Sequence, residues 1–289
     1  MPARIERARL EHRAELAAYV ASLNARPEHL CPYLSDKLHQ VERELDEYLA
    51  FDNSLEARAD GELVGFLGTE LDAEQGKVWL YGPFVSVDPW ITLADQLWGE
   101  LRALLPQGPL LLELYYGRSN ANGEAFAGRH GFSPYKQSRL MRFPAERLDR
   151  LTAEGAPDMR PEQIDQVVPL HDRLFPNTYL PGGSMVTGLT PDRRCFVVSE
   201  GDEVLGYLYG EAVPEVQDAF IEFVGTKEGA RGRGVGGRLV TTALRWMLSY
   251  DGIDEVWLSV DENNLGAQRL YERLGWDVVT LTQAFRLQT

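Results

Sequence analysis

The residue types best suited to chemistry form one short run, Arg231-Gly232-Arg233-Gly234-Val235-Gly236, between a predicted strand and a predicted helix. Its glycines allow a sharp turn and a close approach of the backbone to a ligand. The free N–H groups at a helix start, with the positive end of the helix dipole, bind anions. Residues 227–245 have a net charge of +4, against −15 for the whole chain, from five basic residues and one acidic residue: Lys227, Arg231, Arg233, Arg238, Arg245 and Glu228. The run therefore predicts a phosphate or pyrophosphate site, although glycine-rich turns and surface arginines also occur without a ligand.

A second spaced set of residues lies downstream and reads Asn264-x-x-Ala267-x-x-Leu270-Tyr271-x-x-x-Gly275-Trp276. This set resembles the N-x-x-A-x-x-L-Y-x-x-x-G-F block of the GNAT N-acetyltransferase superfamily, with Trp in place of Phe. The upstream Arg231-x-x-Gly234-x-Gly236 is similar to the R/Q-x-x-G-x-G/A signature of the same family. Both blocks occur in the family's order and at its usual separation, and the close resemblance covers roughly residues 219–276.

The resemblance implies an α+β fold made of two tandem GNAT-like domains, each a mixed, mostly antiparallel twisted sheet flanked by helices. It implies that acetyl-CoA lies where two neighbouring strands splay apart. Backbone groups of Val224 and Thr226 are then expected to hold the pantetheine arm, with Asn264 fixing the adjacent loop. The pyrophosphate is expected on Arg231, Gly232, Arg233, Gly234, Val235 and Gly236. An amine attacks the thioester directly in this family, so no covalent enzyme intermediate is expected.

Two residues are candidates for proton transfer in that reaction. Tyr271 matches the family position that usually protonates the leaving thiolate, and a phenol is protonated at neutral pH. Strand alternation places Glu222 on the face of Val224 and Thr226, where its carboxylate is a candidate base or a contact for a cationic acceptor. Glu211 and Glu262 are weaker candidates.

Each of these residues also has a purely structural alternative. An aromatic residue on the apolar side of a short helix, such as Tyr271, is commonly part of the core. Glu222 is alternatively an edge-strand charge without a role, and Asn264 is alternatively a helix N-cap.

The elements that position these residues occur twice along the chain. Glu62-Leu63-Val64-Gly65-Phe66-Leu67 matches Glu203-Val204-Leu205-Gly206-Tyr207-Leu208, and residues 120–132 match residues 264–276. We therefore predict a degenerate GNAT-like domain at 1–145, a linker at 146–157 and a catalytic domain at 158–289. Each half is predicted to contain a hairpin, a further strand, a helix, a buried strand and a short helix, with the helix of the first half opened by Thr92.

The first half lacks the features that predict cofactor binding. Aligning the two halves puts Asp88-Pro89-Trp90-Ile91-Thr92-Leu93 opposite the glycine-rich run. Proline has no N–H group to offer a phosphate, and Asp88 repels one. Tyr81 stands opposite Glu222 and Ala127 opposite Tyr271. The first half is therefore predicted to contribute structure rather than chemistry.

Composition narrows the class of protein. The net charge of −15 argues against nucleic-acid binding, and no apolar run predicts a membrane span. The two cysteines and five scattered histidines predict neither disulfides nor a metal site, and a cytoplasmic setting is expected. We predict an acetyl-CoA-dependent acetyltransferase acting on a small-molecule or peptide amine, as a monomer or homodimer. The alternatives are a non-catalytic acyl-CoA sensor or interaction module and, within enzymes, a protein resembling the mycothiol synthases.

Overall fold

A computed structural model describes residues 3–49, 53–176 and 178–289 of the chain. These residues form two compact units. Unit 1 consists of Met1–Ser138 together with Thr280–Thr289, and unit 2 consists of Arg139–Val279. Each unit has a mixed sheet with helices packed on it, as the sequence predicts.

Unit 1 has the strand order β1-β2-β3-β4-β5-β11-β6. Its strands and helices are β1 (Arg4–Arg7), α1 (Arg13–Asn24), α2 (Leu38–Tyr48), β2 (Leu55–Ala59), β3 (Glu62–Asp72), β4 (Lys77–Val85), α3 (Trp90–Leu104), β5 (Leu111–Gly117), α4 (Ala121–Arg129), the first part of β6 (Ser133–Pro144) and most of β11 (Asp277–Gln288). Pairing is antiparallel from β1 to β4 and between β5 and β11, whereas β4 and β5 are parallel. Helices α3 and α4 cover one core cluster, and α1 and α2 cover another.

Unit 2 has the strand order β6-β10-β9-β8-β7. Its elements are the last part of β6, α5 (Ile164–Leu174), α6 (Gly182–Thr187), β7 (Arg193–Glu200), β8 (Glu203–Val213), β9 (Asp218–Thr226), α7 (Val235–Met247), β10 (Glu255–Asp261) and α8 (Leu265–Leu274). Strands β7, β8 and β9 pair antiparallel, and β9 pairs parallel with β10. One apolar cluster includes the buried residues of α7, and a separate one lies under α5 and α6.

Strands β6 and β11 divide their residues between the units. Phe143, near the end of β6, is fully buried in the core of unit 2, where its ring centroid lies 5.6 Å from that of Trp276. Phe285, near the end of β11, is buried in the core of unit 1. The compact units therefore differ in extent from the continuous segments 1–145 and 158–289, because each takes in a strand from the other half of the sequence.

The observed elements differ from the predicted ones in three places. Helix α3 begins at Trp90 with Pro89 as its N-cap, so Thr92 does not cap it. The short elements β1 and α6 and the long strand β11 had no sequence prediction. The predicted linker is a packed segment, since Leu148 and Leu151 pack against the unit 2 core and Ala156 is buried within it. The sequence also predicts a helix from about Asp36 to Ala50; α2 lies within that range, and Ala50 lies outside the described residues.

Candidate active site

The parallel strands at the centre of unit 2 separate part-way along their length. The pairing of β9 with β10 runs only through Phe220 with Trp257 and Ile221 with Leu258. Strand β9 continues to Thr226 while still paired with β8, and β10 continues to Asp261. The edge of β9 from Glu222 to Thr226 therefore faces a split in the sheet, and Val224 and Thr226, the predicted pantetheine contacts, lie on it.

The glycine-rich run connects β9 to α7 next to this split. Gly232 and Gly234 have φ values of 77° and 79°, a left-handed conformation that side chains disfavour, and Gly234 is the N-cap of α7. A Cβ atom at either position would meet nothing within 4 Å. The first intrahelical bond runs from Arg238 N–H to Gly234 C=O, at 3.1 Å. The N–H groups of Val235, Gly236 and Gly237 precede that bond and have no acceptor within the helix.

Gly236 has a different physical role from the other two glycines. A Cβ atom here would come within 2.9 Å of Leu270 Cδ2. Gly236 therefore permits α7 to pack closely on α8, a packing requirement that is separate from the N–H group it offers at the helix start.

The basic residues predicted to attract phosphate have separate partners. Arg238 donates to the carbonyl of Gly155, and Arg245 donates to the carbonyls of Leu151 and Ala153. Arg233 lies 2.8 Å from Glu200, and Lys227 lies 3.1 Å from Glu203.

Arg231 differs from these four basic residues. In the part of the chain that the structure describes, its guanidinium has no hydrogen-bond or ion-pair partner, and the residue is exposed. Arg231 is therefore the basic side chain of the run that is best placed for a phosphate.

A β-bulge redirects Glu222. Tyr209 of β8 pairs with Phe223, but the next residue, Gly210, pairs with Ile221, so Glu222 is an extra residue in β9. Phe223 packs into the cluster under α5 and α6, whereas Val224 packs against the α7 cluster. Glu222 contacts the segment between α5 and α6, so the predicted common face with Val224 and Thr226 does not form.

The surroundings of Glu222 raise its pKa to about 7. Burial is the largest cause, and the nearby carboxylates of Glu211 and Asp218 act in the same direction. The Tyr179 hydroxyl donates a hydrogen bond to Oε2 of Glu222 at 2.5 Å, and this bond and Arg193 oppose the rise. The carboxyl therefore exchanges a proton close to neutral pH, which suits a general base.

The other two predicted site residues are Tyr271, on α8, and Asn264, which precedes it. Tyr271 is 6% exposed and belongs to the α7 core cluster, with its ring centroid 5.7 Å from that of Trp276. Its hydroxyl has no hydrogen-bond partner among the described residues, and burial raises its pKa further. Asn264 caps α8, since its Oδ1 accepts from the N–H of Ala267 at 3.1 Å.

Residues 164–276, which contain every predicted site residue, match the acetyltransferase (GNAT) family model. The chain carries a GNAT-family domain. Among curated proteins, mycothiol acetyltransferase from Streptomyces scabiei (strain 87.22) is 33% identical over 94 residues, which are 32% of this chain and 30% of that protein. The chain thus covers less than a third of that relative's length.

Solved structures similar to the chain share the GNAT fold over its whole length. The GCN5-related N-acetyltransferase from Sphaerobacter thermophilus has a TM-score of 0.75 at 19% identity, covering 99% of this chain and 95% of that one. A tandem GNAT protein from the clavulanic acid biosynthesis pathway, solved without AcCoA, has a TM-score of 0.65 at 16% identity, covering 99% and 98%. The predicted fold class, tandem GNAT-like α+β domains, is confirmed.

Unit 1 has the same strand separation as the GNAT domain, but its own residues fill it. Parallel pairing ends at Leu80 with Leu114. Beyond that point the hydroxyl of Tyr116, on β5, donates to the carbonyl of Gly82, on β4, at 2.8 Å. The N–H of Gly117 donates to the carbonyl of Leu30 at 3.0 Å, which brings the segment after α1 to the edge of β5. The matching halves put Val260 opposite Tyr116, and valine is too short for such a bridge.

The connection that carries the glycine-rich run in the GNAT domain is shorter in unit 1. Residues 86–89 join β4 to α3, whereas residues 227–234 join β9 to α7. Trp90, Ile91, Thr92 and Leu93 already belong to α3, so a true counterpart of the loop is absent from this described part of the chain.

Two residues of the GNAT domain near Glu222 had no sequence prediction. Tyr179 donates to Glu222, and His171 accepts from Tyr207 and donates to the carbonyl of Leu180, the residue after Tyr179. Both residues lie far from the two motifs in the sequence. Neither residue belongs to a motif, and no spacing in residues 171–179 marks them as functional.

Other chemistries find little support in the described residues. Burial raises the thiol pKa of Cys31 to about 11 and that of Cys195 to about 12, so both thiols stay protonated and poorly nucleophilic. No cluster of metal-ligating side chains occurs among the residues that the structure describes. Within the same residues, every helix is too short or too polar to cross a bilayer.

Proposed function

We propose that the chain transfers the acetyl group of acetyl-CoA to the primary amine of a small molecule or peptide, and that the GNAT domain performs the reaction. The observation that carries the proposal is the split between β9 and β10, with the open N–H groups of α7 at one end and Glu222 beside it. A helix start without side chains over it is suited to a pyrophosphate, and Arg231 adds a charge.

Glu222 and Tyr271 transfer protons in opposite directions, since Glu222 accepts a proton and Tyr271 donates one. Glu222 takes a proton from the acceptor ammonium, and the amine nitrogen then attacks the thioester carbonyl. As the C–N bond forms and the C–S bond breaks, the second amine proton passes to solvent, and the CoA sulfur receives the proton of Tyr271, which solvent then replaces. General acid and base steps of this kind each contribute about 10²–10⁴-fold to the rate.

Calorimetric titration with acetyl-CoA tests the binding step. We expect saturable heat with one site per chain. Arg231→Ala should weaken the affinity about 10–100-fold, since a charge-assisted hydrogen bond contributes about 1.5–3 kcal/mol. Arg233→Ala is the matched control, because Arg233 already pairs with Glu200; it should weaken binding less. If titration of the wild-type chain with acetyl-CoA gave no heat, the proposal would be contradicted.

An amine-library screen that follows thiol release tests the chemical step. Turnover with a primary amine, dependent on acetyl-CoA, is the expected result. Tight acetyl-CoA binding with no turnover on any amine would instead favour the sensor alternative.

A further inference from the structure

A buried imidazole lies beneath the segment that contacts Glu222. His171, on α5, is 0% exposed, with Nε2 2.9 Å from the carbonyl oxygen of Leu180 and Nδ1 2.6 Å from the hydroxyl of Tyr207. A carbonyl only accepts, so Nε2 carries the hydrogen and donates to Leu180. Burial lowers the pKa of His171, so the ring is neutral and Nδ1 accepts from Tyr207.

A second bond holds the other end of the same segment. Asp172, the next residue of α5, accepts the N–H of Gly182 on its Oδ1 at 2.8 Å. Residues 180 and 182 are therefore both tied to one turn of α5. Tyr179 lies next to these two attachments, and its hydroxyl is the one that donates to Glu222.

Phe223 joins the two sides of this arrangement. Its ring centroid is 4.8 Å from the His171 ring and 5.7 Å from the Tyr179 ring. The bulge that redirects Glu222 places it beside Phe223 on the same side of the sheet. The imidazole thus contacts the Phe223 ring edge-on, the Phe223 ring contacts the Tyr179 ring, and the Tyr179 hydroxyl donates to the Glu222 carboxyl.

We propose that His171 and Asp172 are positioning residues, which hold residues 180–182 on α5 so that the Tyr179 hydroxyl is kept on the Glu222 carboxylate and forms one wall of the amine site. The proposal rests on the proposed function for its catalytic meaning. It adds to that function the part of the chain that orients the base and shapes the acceptor side. His171 acts through Tyr179 and does not touch the reacting atoms.

The proposal predicts which groups control the protonation of Glu222. Charged or titratable groups reach it from three strands and from the segment after α5: Arg193 from β7, Tyr209 and Glu211 from β8, Asp218 from β9, and Tyr179. Of these groups, Tyr179 is the one that adjoins the two attachments to α5 in sequence. The groups next to His171 are Tyr207 and Asp172.

The test is a ¹³C NMR titration of the Glu222 carboxyl carbon, assigned by its absence in Glu222→Gln, because this measurement needs no turnover. Tyr179→Phe removes the bond that lowers the Glu222 pKa, and we expect its titration to move upward by about 0.5–1 pH unit. His171→Phe should move it in the same direction. The double variant should titrate like Tyr179→Phe alone, since His171 acts through that hydroxyl.

Tyr207→Phe is the matched control. It removes the hydroxyl on Nδ1 but leaves the bond from Nε2 to Leu180, so the Glu222 titration should stay near the wild-type value. If His171→Phe fails to fold, Asp172→Ala releases the other attachment from an exposed position, and the same upward movement is expected. Wild-type titration in a folded His171→Phe or Asp172→Ala variant overturns the proposal.

Steady-state kinetics separates this proposal from the proposed function. If a substrate amine is found, the acid limb of kcat/KM should move with the NMR titration, while KM for acetyl-CoA stays unchanged because residues 231–236 are untouched. A chain without any transferase activity would remove the proposed function and still leave the NMR result as a test of the attachments. Movement of KM for acetyl-CoA without movement of the acid limb would show a general structural effect and contradict positioning.

Discussion

At the scale of single residues, the two proton-transfer candidates have contrasting surroundings. Burial raises the pKa of Glu222 to about 7; the carboxylates of Glu211 and Asp218 act in the same direction, and the Tyr179 hydroxyl opposes them. Tyr271 is surrounded by apolar side chains that keep its phenol protonated. A base that releases and takes a proton near pH 7 and an acid that stays protonated until a thiolate forms are the complementary pair that acyl transfer from a thioester requires.

Tyr271→Phe should lower kcat by about 10²–10⁴-fold, because it removes the hydroxyl that protonates the leaving thiolate. Its effect on the free energy of unfolding should be small, since that hydroxyl has no hydrogen-bond partner among the described residues. Steady-state kinetics with thiol detection and thermal denaturation measure the two effects. Unchanged kcat would assign Tyr271 to the core alone.

Glu222→Gln should abolish the acid limb of the pH–rate profile. In the wild-type protein, kcat/KM should rise with pH up to about 7 and then level off, because the base must be deprotonated. The variant should be slower by about 10²–10⁴-fold and should show no step near that pH. A limb that persists in the variant would belong to another group.

The same substitution has a predicted effect on stability. The pKa of Glu222 rises from 4.5 to about 7 on folding, so the folded state holds the proton more tightly. Its contribution to stability is therefore complete below pH 4.5, falls as the pH rises toward 7 and stays lost above it. Between pH 5 and pH 8, the free energy of unfolding of the wild type should therefore fall by about 1–2 kcal/mol more than that of Glu222→Gln, after allowance for solvent screening. Chemical denaturation at the two pH values measures this difference.

At the scale of elements, the proposed pyrophosphate site depends on the connection that precedes α7. In unit 2 an eight-residue connection, 227–234, leaves room for a glycine turn before the helix. In unit 1 the helix begins after residues 86–89, and the neighbouring split is bridged by Tyr116. Two copies of one topology therefore offer different surfaces to a ligand.

Gly234→Asp should weaken acetyl-CoA binding by at least about 100-fold, since it adds a negative charge where the pyrophosphate is expected. The fold should survive with a loss of about 1–2 kcal/mol, because the residue is left-handed but a Cβ atom there meets nothing within 4 Å. Gly61→Asp is the matched control, with a φ of 89° and equally open space in a hairpin of unit 1. Calorimetry on both variants should show the affinity loss in the first and not in the second; equal losses would contradict the loop assignment.

At the scale of the whole molecule, the chain builds each core from both halves of its sequence. The last strand supplies Phe285 to unit 1, and the strand that ends the first repeat supplies Phe143 to unit 2. The two compact units therefore do not coincide with the two halves of the sequence.

Phe285→Ala and Phe143→Ala should each destabilise the unit that is formed mostly by the other half of the sequence. Each removes a buried ring, at a cost of about 3–5 kcal/mol. Phe285→Ala should reduce amide-exchange protection in β5 and leave acetyl-CoA binding intact, although it lies in the second half of the sequence. Phe143→Ala should reduce protection in β10 and weaken acetyl-CoA binding. Hydrogen exchange with mass spectrometry measures both, and loss of protection in the other unit would contradict the division of the cores.

The sequence by itself determined the features that depend on neighbouring residues. The glycine-rich turn, the open N–H groups at the start of α7, the Asn264 cap and the repeated hairpins all follow from backbone preferences within a few residues. For that reason they could be predicted from the motifs. The partners of Arg233, Arg238 and Arg245 could not, because these lie on distant segments.

Only the tertiary structure decided how the site is completed and how the cores are shared. The bulge at Glu222 depends on the register between β8 and β9, and the contact with Tyr179 depends on α5 packing beside that bulge. The placement of β6 and β11 depends on which of two similar sheet edges each strand joins. A local sequence pattern does not predict these pairings, because the burial of whole sheet faces determines which distant strands pair, and the propensity of the individual residues does not.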